Sequence, residues 1–354
     1  MHRRRFIAVS AALALAVVGT ACGKDSNNDS KAATNTTVDK APVTVRLGYF
    51  PNITHATALV GVNKGIYASK LGTDKLETQT FNAGPAAVEA LFANAIDATY
   101  VGPNPAINAW AQSKGTAIEI IAGATSGGAA LVVKPGINSA ADLKGKKVAT
   151  PQVGNTQDVA LRSWLKSANL TAPAQGGGDV TVVPQENAQT LATFQAGTID
   201  GAWVPEPWVT RLVQEGGGKV LVNEKDLWKG GDFVTTHLIV RTQFLKDHPD
   251  AVKRLLEGHV AATKYVNENP TEAQAAANAE IEKITGKKLS DAVIAGAWKN
   301  LRFTNDPIAS SLKLSATHAE DVGLLKPVDL KGIYDLKILN QVLKAAGEDQ
   351  VKAA

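Results

Sequence analysis

One segment of this chain occurs twice, and that repeat limits the architectures open to it. Ala90-Leu91-Phe92-Ala93-Asn94-Ala95-Ile96-Asp97-Ala98-Thr99-Tyr100-Val101 is matched by Ala192-Thr193-Phe194-Gln195-Ala196-Gly197-Thr198-Ile199-Asp200-Gly201-Ala202-Trp203-Val204, with both Ile-Asp pairs and both closing valines in correspondence. Pro103-Asn104-Pro105 follows the first copy and Pro205-Glu206-Pro207 the second. Upstream, a strand over 44–47 runs into a loop at 48–54 and a helix near His55. A strand over 147–150 likewise runs into a loop at 151–156 and a helix from Gln157. Thr54 and Thr156 are then matching N-cap candidates. The loops at 81–85 and 183–187 each join a strand to the helix before the repeated unit. A chain that repeats strand, loop and helix in this way buries two cores, and 354 residues with 44% apolar side chains suffice for two lobes.

Short β-branched runs at 43–47, 148–150, 180–183 and 238–240 alternate with helical patterns at 87–93 and 255–265. Such alternation predicts an α/β fold with largely parallel sheets. In sheets of this kind ligands bind beyond the carboxyl ends of the strands, so two facing lobes make a cleft. Gly-rich stretches at 122–130 (AGATSGGAA) and 229–236 (KGGDFVTT) suit hinge crossovers. They place lobe 1 at 43–125 and 235–354, and lobe 2 at 126–234. The helical residues after Arg241 are expected to pack back on lobe 1.

The N-terminus carries an address. Arg3, Arg4 and Arg5 precede an apolar run over 6–18, and Gly19, Thr20 and Ala21 lead directly into Cys22. This is the pattern of an export signal over 1–21, too short to span a bilayer as a retained helix. Residues 22–42 are polar and lack aromatics, as a flexible tether does. With the three arginines set aside, the 37 basic and 33 acidic residues nearly balance, which gives no signature of nucleic-acid binding. Cys22 is the only cysteine, so an intrachain disulfide framework and a thiolate metal cluster are both excluded. The segment resembles a bacterial lipobox, with Gly19 where an aliphatic residue is usual. That resemblance implies lipid attachment through Cys22 on the extracytoplasmic face of the cell membrane; an ordinary signal peptide with an incidental cysteine is the alternative.

Five further segments carry a second resemblance. They are Arg46-Leu47-Gly48-Tyr49; Phe81-Asn82-Ala83-Gly84-Pro85 with Glu89-Ala90-Leu91; Asp142-Leu143-Lys144-Gly145-Lys146-Lys147-Val148; Phe194-Gln195-Ala196-Gly197; and Trp203-Val204-Pro205-Glu206-Pro207-Trp208. In this order, over 43–340, the chain resembles the solute-binding components of ABC importers for sulfonates, taurine, nitrate and thiamine-pyrimidine precursors. The resemblance implies a two-lobed periplasmic-binding-protein fold of type II, each lobe a mixed sheet flanked by helices. It also implies a monomer without cofactor or metal that closes on a small molecule and delivers it to a membrane permease and its ATPase.

In such a cleft, helix N-termini hold a small anion without a formal positive charge. Asn52, Thr54, His55, Gly84, Asn104, Asn155, Thr156 and Gln157 stand near expected helix starts, in loops free of Lys and Arg. The missing arginine argues against phosphate and dicarboxylates and for a monoanion or a neutral polar solute. Trp203 and Trp208 flank Glu206, as an aromatic wall or as core. Trp203 aligns with Tyr100 and is the better core candidate. Glu206 either accepts hydrogen bonds from a ligand amino group, which would favour an amino-sulfonate or an aminopyrimidine, or pairs with Arg211. His237, just past the second crossover, is a further candidate. Enzyme motifs are missing: H-E-x-x-H, G-x-S-x-G and the P-loop do not occur, and Gly176-Gly177-Gly178 precedes a strand rather than following one. A catalytic or sensory relative on the same fold is the alternative of another class.

Overall fold

The structure, a computed structural model, describes residues 41–353. The signal segment, Cys22 and the tether as far as residue 40 lie outside the described residues. The strands in chain order are β1 Thr44–Tyr49, β2 Lys75–Thr80, β3 Ala98–Val101, β4 Ile118–Gly127, β5 Ala129–Val133, β6 Lys147–Thr150, β7 Thr181–Pro184, β8 Gly201–Pro205, β9 Lys219–Asn223, β10 Val234–Arg241 and β11 Leu301–Phe303. One sheet has the order β2-β1-β3-β10-β4-β11 and the other β7-β6-β8-β5-β9.

The repeat seen in the residues is therefore a repeat of topology. β1, β2, β3 and β4 correspond to β6, β7, β8 and β9, and each sheet takes its fourth strand from chain that crosses from the other lobe. The first three strands of each set are parallel, whereas the inserted β10 and β5 run antiparallel to their neighbours. The sheets are thus mixed rather than largely parallel. Apolar layers cover both faces of each sheet, one pair of clusters per lobe.

The two Ile-Asp pairs have a common task. Asp97 takes the backbone N–H of Arg46 on its carboxylate at 3.0 Å, while its own N–H donates to the Arg46 carbonyl at 2.8 Å. Asp200 does the same with Lys147, at 2.8 Å in both directions. Arg241 and Lys134, on the inserted strands' ends, each donate a backbone N–H to the carbonyl of the matching aspartate at 2.9 Å. Each aspartate thereby pins three strands at one end of its sheet, which sets the register from which the opposite loops emerge.

The first crossing is shorter than its glycines suggest. β4 continues to Gly127 and β5 starts at Ala129, so only Gly128 separates strands of different lobes. Gly127 and Gly128 both have positive φ, and a Cβ on Gly128 would lie 2.1 Å from Leu301 Cδ2. The return crossing holds two short 3-10 turns, Glu224–Leu227 and Lys229–Gly231. After Arg241 the helices Pro249–Glu268 and Pro270–Thr285 pack on the lobe 1 helix Ala56–Asn63, in line with the pattern. Asp291–Trp298 instead packs on the lobe 2 helix Trp208–Gln214, and Ala309–Asp321 touches Thr156–Ser167 of lobe 2 as well as Pro103–Gln112 of lobe 1. The C-terminal segment straps both lobes because its apolar stripes face helices of each. Among the described residues, no helix is long and apolar enough to cross a membrane.

The two aspartates differ in setting. Asp97 is 2% exposed and holds the guanidinium groups of Arg46 at 2.6 Å and Arg241 at 2.7 Å, whereas Asp200 is 33% exposed and pairs with Lys146 at 3.8 Å. Burial works to raise the Asp97 carboxyl, but the arginine hydrogen bonds outweigh it and hold the group below its usual value. Asp97→Ala should cost about 3 kcal/mol of unfolding free energy and Asp200→Ala about 1 kcal/mol, measured by urea denaturation. Equal costs would mean that the buried pairs add nothing to the shared backbone staple.

Candidate functional site

A cavity of about 30 Å³ lies between the lobes, walled by their strand-to-helix loops. Lobe 1 supplies Asn52, Thr54 and His55 after β1, Asn82 and Gly84 after β2, and Gly102 after β3; lobe 2 supplies Asn155, Thr156 and Gln157 after β6 and Asn187 after β7. Thr235 and Thr236, at the start of β10, complete the polar wall, and no Asp, Glu, Lys or Arg is part of it.

The helices Gly84–Phe92, Pro103–Gln112, Thr156–Ser167 and Asn187–Gln195 all begin at or beside this wall, and the 3-10 turn Ile53–His55 leads into a fifth. Their first N–H groups and positive dipole ends therefore converge on one volume. Neither threonine expected as an N-cap takes that role. Asn155 caps the Thr156–Ser167 helix by accepting the Asp158 N–H at 2.9 Å, so Thr156 moves to the first helical position and keeps its hydroxyl free. Asp158 in turn accepts the Gly154 N–H at 2.9 Å and the Thr150 hydroxyl at 3.0 Å, and pairs with Arg162 at 3.1 Å. That buried ion pair fixes the loop that carries Asn155 and Thr156. The Thr54 carbonyl accepts the Thr125 hydroxyl at 2.7 Å.

Three buried atoms of the wall have no hydrogen-bond partner: Thr156 Oγ1, Thr236 Oγ1 and Asn187 Oδ1. Orphaned polar groups of this kind cost stability unless something occupies the space they face. Burial drops the His55 imidazole to about 3, so the ring is neutral at physiological pH.

The lobes are closed on each other. Ile53 N–H donates to the Glu206 carbonyl at 3.1 Å, Asn187 N–H to Asn82 Oδ1 at 3.2 Å, and Trp208 Nε1 to Asn52 Oδ1 at 3.0 Å. A Cβ on Gly102 would sit 2.2 Å from Thr156 Oγ1, so this approach requires glycine. A Cβ on Gly84 would likewise fall 2.2 Å from Pro105 Cγ.

Asn52, Thr54, His55, Gly84, Asn155, Thr156 and Gln157, all expected from sequence, reach the wall, but Asn104, Trp203, Glu206, Trp208 and His237 do not. Asn104 lies in the first turn of its helix and donates to the Ser315 carbonyl at 3.1 Å. Trp203 is core: its indole donates to Glu224 at 2.7 Å and packs 6.1 Å from Trp164. Glu206 is fully buried and accepts the Thr210 N–H at 3.1 Å, the Thr210 hydroxyl at 2.9 Å and Asn300 Nδ2 at 2.6 Å. It does not pair with Arg211, which bonds Glu215 at 2.9 Å and lies over the Trp208 ring. Trp208 faces an outer chamber that shares Asn52, Asn82 and Asn187 with the cavity. His237 is not part of the wall, and its Nε2 lies 2.9 Å from the Pro307 carbonyl.

Asn82, Asn187, Gly102, Thr235 and Thr236 were not singled out from sequence. Asn82 and Asn187 occupy corresponding loops of the repeat, though not corresponding positions within them. Thr235 and Thr236 both reach the wall because the β10–β4 register shifts around Thr236, an irregularity that no residue pattern announces.

Residues 39–281 match the NMT1-like family. A Brucella abortus protein named as a binding protein is 28% identical over 260 residues, covering 70% of this chain and 77% of its own length. The taurine-binding periplasmic protein of Escherichia coli is 29% identical over 195 residues, covering 55% of this chain and 58% of its own. Among solved structures, the alkanesulfonate-binding protein SsuA from Xanthomonas axonopodis pv. citri superposes with a TM-score of 0.68 at 19% identity, covering 83% of this chain and 99% of that one. The periplasmic nitrate-binding protein NrtA from Synechocystis gives 0.70 at 18% identity, with 86% and 89% covered. This chain belongs to the NMT1-like family and has the two-lobed fold of the periplasmic binding proteins.

Proposed function

We propose that this protein is the extracytoplasmic solute-binding component of an ABC importer, and that it holds the oxygen-rich headgroup of a small sulfonate in the cavity between its lobes. The observation that carries this reading is a charge-free wall where helix N-termini meet the unpartnered hydroxyls of Thr156 and Thr236. Such a site satisfies one negative charge with N–H and O–H donors and offers no cation to a dianion. The names of the taurine and sulfonate relatives agree with it. Nitrate is the second reading, because about 30 Å³ is room for about two waters and favours the smallest monoanion. With Glu206 engaged elsewhere, the wall offers no carboxylate to an aminopyrimidine's amino group. In this reading ligand bridges the lobes and the 122–130 and 229–236 segments flex. Lobe 1 then comprises 43–125 with 235–354 and lobe 2 126–234, a monomer tethered through Cys22 that presents its closed form to a permease and its ATPase. Small-angle scattering should show compaction on ligand addition, and ligand recovered unchanged after incubation would separate a binder from an enzyme.

Calorimetric titration with methanesulfonate, taurine and nitrate tests the site directly. Thr156→Val and Thr236→Val should each weaken the preferred anion by about 2 kcal/mol, roughly thirtyfold, since each removes one hydrogen bond to a charged group. Unchanged affinity in both variants would remove these hydroxyls from the site.

The neutral wall has a consequence for pH. With His55 titrating at about 3 and no other ionisable group on the wall, anion affinity should be flat from pH 5 to 8. A steep rise toward pH 5 would mean that a protonated histidine takes part.

Glu206→Gln should reduce taurine and methanesulfonate affinity by the same factor, because Glu206 braces Thr210 and Asn300 rather than the solute. A selective loss for taurine would return the carboxylate to the ligand.

A further inference from the structure

Glu224 follows β9 directly, where lobe 2 returns the chain toward lobe 1, and it is 1% exposed. Its Oε2 accepts the Trp203 indole N–H at 2.7 Å, and the indoles of Trp203 and Trp228 both work to lower its pKa. Burial pushes the carboxyl up to about 7 with only these two indoles opposing it, so among the described residues no cation compensates its charge. A carboxylate out of water without a counter-charge is costly.

Glu224 is among the residues lining a cavity of about 210 Å³ that shares no residue with the interlobe site, although the helix Thr156–Ser167 runs from one to the other. Trp164 comes from the helix Thr156–Ser167, Trp228 from the return crossing and His318 from the helix Ala309–Asp321. Trp228 is held by parallel stacking on Phe233 at 5.2 Å, and Trp164 is braced by Trp203. Burial lowers the His318 imidazole, which keeps it neutral beside the cavity. Among the described residues no group of three His, Cys, Asp or Glu could hold a metal, and a single carboxylate between indole rings suits a large, weakly hydrated cation instead.

We propose that this cavity is a second ligand site, for a small organic ammonium ion, with Glu224 as its counter-charge and the Trp164 and Trp228 rings as its walls. Its three walls come from lobe 2, the return crossing and the C-terminal strap, so an occupant holds the crossing segment against Ala309–Asp321. The proposal is independent of the sulfonate reading.

The test uses the full chain at pH 8 and constant ionic strength, titrated with tetramethylammonium chloride and followed by tryptophan fluorescence and calorimetry. Sodium chloride and the neutral tert-butanol serve as controls. Saturable binding is expected for the ammonium ion alone, weakened at least tenfold in Glu224→Gln, with methanesulfonate affinity unchanged in that variant. Trp164→Leu, whose fold is checked by circular dichroism, should weaken ammonium binding similarly and keeps the question open to test if Glu224→Gln fails to fold. No saturable binding by the wild type, equal binding by Glu224→Gln, or tert-butanol binding as tightly as the cation would each overturn the proposal.

Discussion

An aspartate at the entrance of β3 and another at the entrance of β8 hold this molecule's two halves to one plan. Each closes a two-way hydrogen-bond pair with the strand beside it and offers its carbonyl to the end of a strand arriving from the other lobe. Because a one-residue slip would turn every side chain of a strand to the opposite face, pinning three strands at one end fixes where their far ends stop. The loops after β1, β2 and β3, and after β6 and β7, thus reach a common space. The site depends on this register more than on any one of its side chains.

The repeated Ile-Asp and Pro-x-Pro units made the two-lobed plan legible, since they are short, ordered and spaced alike. Seven wall residues were legible for a related reason: helix starts need small polar residues, and the strand-to-helix loops of an α/β sheet face its ligand. What failed was the step from a residue's neighbourhood in sequence to the direction of its side chain. Glu206 stands between two tryptophans in sequence, yet its carboxylate turns back onto Thr210 and across to Asn300. His237 follows Thr236, yet its ring lies against the Pro307 carbonyl and not on the wall. The helix expected from Gln157 with Thr156 as its cap starts one residue earlier with Asn155 as the cap, and that shift leaves the Thr156 hydroxyl for the cavity. Asn300 lies far from Glu206 along the chain, and such a partner has no local signature.

A site without formal charge suits a solute that must be released again. An arginine fork would bind an oxyanion more strongly, but it would also accept phosphate and carboxylates. Neutral donors discriminate differently. In the proposed reading, fixed N–H groups and hydroxyls satisfy one delocalised negative charge and the small closed volume strips water from it, whereas a dianion would lose far more hydration than these donors return. Buried, neutral His55 fits the same proposal, since a protonated imidazole there would favour anions without regard to shape.

The repeat also shows where the halves are unlike. Asn104 and Glu206 hold the middle of the two Pro-x-Pro turns, and both are tied to the C-terminal segment, Asn104 through Ser315 and Glu206 through Asn300. That segment has no counterpart in the repeat. Its β11 is paired into the lobe 1 sheet, and Asn305 accepts the Gly123 N–H at 3.0 Å, so the strap is fixed to lobe 1. Separating the lobes therefore leaves the Asn104 link intact and breaks the bonds around Glu206: Asn300 to its carboxylate and Ile53 to its carbonyl, with Trp208 to Asn52 nearby. A carboxylate at this point bonds Thr210 within lobe 2 and Asn300 across the gap at once, which a neutral amide with a single acceptor oxygen does less well. The position that most resembled a ligand contact in the sequence is, in three dimensions, a fastening between the lobes.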